Sequence, residues 1–164
     1  MIIGSFDTDQ AVLVVAEIGN NHEGSYALAE EMIGRAAQAG AGAVKFQTFK
    51  PELYQSSADP KRLAKLKSFE LSPAEFKKLS QAAEKAGLIF LSTPFDLQSA
   101  EVLRPLVPAF KIASGDNNFY PLLEKIAGFG RPIILSSGLA GLTQLTYAKA
   151  LIERVWAEKG FSSE

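Results

Sequence analysis

Lys45 and Lys111 are the residues of this sequence that ordinary packing explains least. Each lies inside a short apolar run, Ala43-Val44-Lys45-Phe46-Gln47 and Ala109-Phe110-Lys111-Ile112-Ala113. An ammonium taken out of water is costly unless an anion accompanies it. One source of that anion is a structural ion pair, with Glu17 and Asp116 as partners. The other is a bound phosphate or carboxylate. Alternation along an extended chain puts Lys45 on the side of Ala43 and Gln47, and Lys111 on the side of Ala109 and Ala113. Those neighbours are small or polar and leave room for a ligand. A lysine that forms a Schiff base with a keto acid is a third chemistry open to either residue.

Other polar residues gather near the ends of similar runs. Ser114-Gly115 and Ser136-Ser137-Gly138 each follow an apolar run and precede a helical pattern. Hydroxyls and backbone N–H groups in such turns can cradle an anion, although Ser-Gly is also ordinary turn chemistry. Glu17 and Asp116 are equally candidates for acid–base work. His22 is the only histidine. It lies among Asn20, Asn21 and Glu23 and reads as a turn-stabilising or exposed residue rather than a ligand. Phe95 and Phe110 read as core. The absence of cysteine excludes disulfides, thiolate nucleophiles and Cys-ligated metals.

The elements that must position these groups alternate regularly. Strands are expected at 12–16, 43–47, 88–92, 109–113 and 132–136, each about five residues long, as buried parallel strands are. Helical periodicity runs from Ala27 to Ala39 with Gly40 as its stop. It resumes from the capping box Ser72-Pro73-Ala74-Glu75 to Gly87. Further helices are expected at Leu97 to Leu103 behind Asp96, from Pro121 toward Ala127, and from Leu142 to Glu158. The segment from Pro51 to Glu70 reads as a polar, partly irregular insertion. Five successive β-α pairs imply an α/β fold, a parallel sheet with helices packed outside, in the strand order 1-2-3-4-5. In such sheets ligands bind at the carboxyl ends of the strands, and all five ends here are polar.

Composition narrows the function classes. The chain has 164 residues, 47% apolar and 21% charged, which is globular and favours one domain. Seventeen Lys and Arg stand against 18 Asp and Glu, a net charge of −1, so nothing argues for nucleic acid or a membrane surface. No apolar run approaches the roughly 18 residues of a membrane helix. Met1 to Gln10 lacks the basic residues of a signal peptide. A cytoplasmic location is the expectation.

Five segments together carry a specific resemblance: Ala16-Glu17-Ile18-Gly19-Asn20-Asn21-His22-Glu23-Gly24, Val44-Lys45-Phe46-Gln47-Thr48-Phe49, Ser92-Thr93-Pro94-Phe95, Phe110-Lys111-Ile112-Ala113-Ser114-Gly115-Asp116 and Leu135-Ser136-Ser137-Gly138. In this order the chain resembles the sialic acid synthase (N-acetylneuraminate synthase) family over about residues 11 to 160. The resemblance implies an eight-unit (β/α) TIM barrel of which this chain supplies five units. It implies condensation of phosphoenolpyruvate with an N-acylated aminosugar, releasing phosphate and forming a nine-carbon 2-keto acid. Lys45, Thr93, Lys111, Ser114 and Ser136 would then bind phosphoenolpyruvate. Asp116, which is Glu in some members, would serve the water or proton at the reacting carbons. Glu17 would lie near the sugar, with Gln47 and Asn21 on the same side.

The same resemblance implies what is missing. The family's divalent metal, Mn or Mg, is held by two histidines on the seventh and eighth strands, so no metal ligands are expected in this chain. The antifreeze-like C-terminal domain is also outside it. The segment after Gln47 is shorter than in many members, which implies a lost sugar contact. Residues 1–164 are therefore expected to be the N-terminal portion of a barrel, holding the phosphoenolpyruvate half-site. The alternative is a catalytically inactive piece that self-associates or complements a partner fragment through exposed barrel edges.

Overall fold

The computed structural model describes residues 1–161. The chain opens with an antiparallel hairpin, β1 (Ile2–Ile3) and β2 (Phe6–Asp7), turned at Gly4, whose φ is +61°. Then come the parallel strands β3 (Val15–Gly19), β4 (Ala43–Thr48), β5 (Ile89–Pro94), β6 (Phe110–Ile112) and β7 (Ile133–Leu135). Helices follow them: α1 (Tyr26–Gln38) after β3, and α2 (Pro51–Tyr54), α3 (Pro60–Phe69) and α4 (Pro73–Lys85) after β4. α5 (Leu97–Leu103) follows β5, α6 (Tyr120–Ala127) follows β6 and α7 (Leu142–Lys159) follows β7.

The expected strand order holds, but in two ladders. β3-β4-β5 form one and β6-β7 the other, with β6 packed beside β5. Among the described residues the outer edges of β3 and β7 are unpaired, so the five parallel strands form an unclosed arc of a (β/α) barrel.

Local sequence explains the elements. Ser72 accepts a hydrogen bond from the Glu75 backbone at 3.3 Å while Glu75 receives the Ser72 N–H at 2.7 Å, the reciprocal cap expected for α4. Asp96 caps α5 through the backbones of Gln98 and Ser99. Its other oxygen accepts from Lys50 N at 2.8 Å and so ties the end of β5 to the end of β4.

One sequence expectation fails here and another is incomplete. The first strand begins at Val15 rather than residue 12, and Val12 and Val14 are exposed. Residues 12–14 are the approach to the strand, because the ladder starts where Val15 pairs with Ala43. The strand then runs on through Glu17, a charged residue that an apolar-run criterion ends on. The insertion is irregular at 55–59, as expected in part, but it also contains two helices that the sequence reading did not name. Asp59 accepts from Arg62 N at 3.0 Å, and Pro60 stands in the first turn. Leu63, Leu66 and Phe69 form a half-buried stripe at a three-residue spacing. The Asp-Pro start was present in the sequence.

The main core lies between the strands and their outer helices and includes Ile33, Phe46, Leu79, Phe90, Leu103, Phe110 and Ile126. A second cluster lies on the concave side, where Ile3 from the hairpin packs with Ala43, Leu91 and Ala109. The hairpin therefore floors the barrel interior.

Candidate functional site

The site is a cavity of about 410 Å³ at the carboxyl ends of β3 to β7. Its wall includes Lys45, Gln47, Thr93, Lys111, Ser114 and Ser136. Pleat alternation produces this set. Register pairs Glu17 with Lys45 and Lys45 with Leu91 across the first ladder, and Lys111 with Ile134 across the second. One layer higher, Gln47 pairs with Thr93. A bulge between Glu17 and Gly19, with Gly19 at φ +61°, turns the chain so that Asn20 and Asn21 reach the same cavity.

The two lysines meet their environments differently. Lys45 Nζ lies 2.6 Å from Glu17 Oε2 and 3.4 Å from Thr93 Oγ1. Lys111 Nζ donates to the Ile112 carbonyl at 2.7 Å and to Ser136 Oγ. Burial, reinforced by the positive charge of Lys45, holds the Lys111 ammonium below the usual lysine range, and Glu17 opposes the shift. An anion entering beside Lys111 would relieve that stress.

Turns complete the wall. Ser114 begins a 3-10 turn, Ser114–Asp116. A side chain at Gly138 would come within 3.2 Å of the Ser114 Cβ, so glycine there lets the loop after β7 close on Ser114. Buried Asn117 donates to the Ser136 carbonyl at 3.4 Å and holds the two turns together. Asn117 was not singled out from sequence; its only signal was its place in the Asp116-Asn117-Asn118 run.

The structure thus brings Glu17, Asn21, Lys45, Gln47, Thr93, Lys111, Ser114 and Ser136 to one cavity. Asp116 is not among the lining residues. Its Oδ2 is buried with no hydrogen-bond partner among the described residues, and burial pushes the carboxyl up. The ion pair considered for Lys111 and Asp116 does not form, whereas Lys45 and Glu17 do pair.

Of two further expectations, one is resolved and one is corrected. His22 takes the first of its two alternatives and is not exposed. It is 1% accessible, its Nδ1 accepts from Gly24 N at 3.1 Å, and its ring packs near Phe46. It stabilises the turn, as the alternative had it, and burial lowers its pKa against the pull of Glu75. Phe95 is not core but half-buried, and it lines the cavity. Phe110 is core as expected.

Among the described residues no three His, Cys, Asp or Glu side chains converge. The only histidine is fully enclosed and already holds Gly24. These residues do not fit a divalent metal, and the chemistry assigned to this chain rests on its own side chains. No helix among the described residues is long and apolar enough to cross a membrane.

The model of the NeuB family matches residues 32–160 of this chain. An uncharacterised protein of Methanocaldococcus jannaschii is 42% identical over 145 residues, covering 88% of this chain and 43% of that protein. The N,N'-diacetyllegionaminic acid synthase of Campylobacter jejuni is 39% identical over 150 residues, covering 83% of this chain and 45% of the synthase. Among solved structures, the N-acetylneuraminic acid (sialic acid) synthetase of Leptospira borgpetersenii superposes with a TM-score of 0.89 at 32% identity. That match covers 94% of this chain and 55% of the synthetase. The chain spans less than half the length of the two curated relatives.

Proposed function

The chain belongs to the NeuB family, and on that premise we propose that it forms the phosphoenolpyruvate half-site of a synthase that joins phosphoenolpyruvate to an N-acylated aminosugar, yielding a nonulosonic acid and phosphate. The observation that carries this reading is the convergence of Lys45 and Lys111 in one cavity with Thr93, Ser114 and Ser136. Phosphoenolpyruvate has two anionic groups and calls for two cationic anchors with hydroxyl donors between them. The lysines rise from neighbouring parts of one rigid arc, so their spacing is set before the ligand arrives.

Within this reading, Lys45 and Lys111 neutralise the phosphate and carboxylate, and the three hydroxyls orient them. Glu17, on the open side of Lys45, faces the aminosugar together with Gln47 and Asn21. Asp116 serves the proton or water at the reacting carbons. It is carried on the same 3-10 turn as Ser114, and its raised pKa suits proton transfer near neutrality better than that of an exposed carboxyl. Reaching the cavity requires the turn to rotate.

Thermal denaturation with increasing phosphoenolpyruvate tests the proposal. The melting temperature is expected to climb with the logarithm of ligand concentration above the dissociation constant. Lys45→Met and Lys111→Met are each expected to abolish the shift. A shift that persists in both variants would remove the lysines from the site, and no shift in the unaltered chain would sink the reading.

A second reading is favoured by the free edges. Val12 is 88% exposed near β3, and Leu139 and Leu142 are 105% and 81% exposed after β7. A catalytically silent chain that associates through these edges would elute as a multimer without responding to phosphoenolpyruvate.

A further inference from the structure

We propose that Phe95 is the contact residue for the apolar, C–H-bearing face of the second substrate, so that the cavity has one cationic wall for the anion and one aromatic wall for the aminosugar. This rests on the reading of the cavity as a synthase half-site.

Among the described residues, Phe95 is the one aromatic side chain lining that cavity. The lining is otherwise mostly polar, with Ile18 and Ala113 as its small apolar parts. The face of an aromatic ring carries the negative end of its quadrupole. A multiply charged anion gains nothing from it and is served by the lysines. A neutral ligand with C–H groups, such as a pyranose face or an acyl methyl, does gain.

The ring is also held in place, as a platform must be. Tyr54 packs against it with centroids 4.8 Å apart, and Phe49 meets it edge-on at 6.4 Å. Phe95 N donates to the Thr48 carbonyl at 3.0 Å. The next residue, Asp96, is anchored to both β4 and α5. Tyr54 belongs to α2, so the insertion after β4 supplies the support. Tyr54 is 38% exposed and does not itself line the cavity. It acts as a positioning residue through Phe95.

The test is saturation-transfer NMR with N-acetylmannosamine in the presence of phosphoenolpyruvate. Saturation is expected on the acyl methyl or the ring C–H protons; whichever it favours identifies the group on the platform. In Phe95→Leu the signal should fall several-fold, while the phosphoenolpyruvate-induced melting shift stays as in the unaltered chain. Tyr54→Phe should keep the signal and Tyr54→Ala should lower it. An undiminished signal in Phe95→Leu, or no signal in the unaltered chain, overturns the proposal. Loss of the phosphoenolpyruvate shift in Phe95→Leu also overturns it, by placing the ring in the anion site. Failure of the half-site reading is recognised separately, as the absence of that shift before any substitution.

Discussion

Glu17 and Lys45 stand directly opposite each other across the β3–β4 ladder, with Oε2 and Nζ 2.6 Å apart. Their exposures differ: the Lys45 side chain is 13% accessible and that of Glu17 56%. The cation is thus held inside the cavity, and its partner sits on the rim. A ligand anion must share Lys45 with Glu17 or displace it. On the proposed reading the pair would gate affinity more than brace the fold, because half-exposed ion pairs contribute little to stability.

Glu17→Gln is therefore expected to tighten phosphoenolpyruvate binding about 2–5-fold, the range set by an ion pair worth up to about 1 kcal/mol. Titration calorimetry at low salt measures it. Weaker binding in the variant would show that Glu17 orients Lys45 rather than competing for it.

Lys111→Met is expected to stabilise the ligand-free chain while destroying anion binding. Burial depresses the Lys111 pKa, so between that value and the ordinary 10.5 the unfolded chain holds a proton the folded chain lacks. Stability then rises with pH across this window and is reduced below it, where a buried ammonium must be kept charged. The Ile112 carbonyl keeps a second donor in Ser136 N at 3.1 Å, so removing the ammonium does not orphan it. A gain on the order of 1 kcal/mol, or about 2–4 °C in Tm, is expected. In the unaltered chain, phosphoenolpyruvate affinity should fall as pH rises through the same window. A pH-independent affinity would contradict this.

Asp116→Asn tests a group shifted in the opposite direction. Burial raises the Asp116 pKa above 3.8, so within that window the folded chain holds the extra proton. Stability is greatest below it and falls as pH rises through it. The asparagine variant removes the buried charge and should melt higher at pH 7, by an amount corresponding to about 1 kcal/mol. Its melting temperature should lose the acid-side pH dependence, and its response to phosphoenolpyruvate should be retained because Asp116 does not line the cavity. A lower Tm would mean that the carboxylate has a polar partner.

Gly24→Ala should be severely destabilising. Gly24 has φ +83°, and a Cβ there would stand 2.0 Å from the Ser68 carbonyl oxygen, where the loop after β3 meets the end of α3. The expected loss is at least about 2 kcal/mol, because an unfavourable φ and a backbone clash act together. Gly34→Ala, inside α1 with nothing within 4 Å, should instead stabilise by about 0.5–1 kcal/mol. Equal melting temperatures for the two variants would rule out the tight contact between loop and α3.

Much of the site was legible in the residues alone, because it depends on rules with short range. Strand alternation placed Lys45 with Gln47, and Lys111 with Ala113, on one side of their strands whatever else the chain did. The caps at Ser72 and Asp96 are likewise local, since donor and acceptor lie within one helical turn. The parallel α/β arrangement followed from the regular recurrence of such units.

The remainder depended on which segments meet across the fold. Lys111 finds Ser136 and the Ile112 carbonyl instead of Asp116, which belongs to a 3-10 turn and does not line the cavity. Phe95 faces the cavity and not the core, because Asp96 and Thr48 pin its backbone while Tyr54, from an insertion expected to be partly irregular, supports its ring. Residues 1–7 floor the interior through Ile3, although a two-residue strand leaves no periodic trace. Side-chain facing within one strand is a property of backbone stereochemistry and is written in sequence spacing. The choice of partner between residues far apart in the chain is settled only when packing brings their elements together.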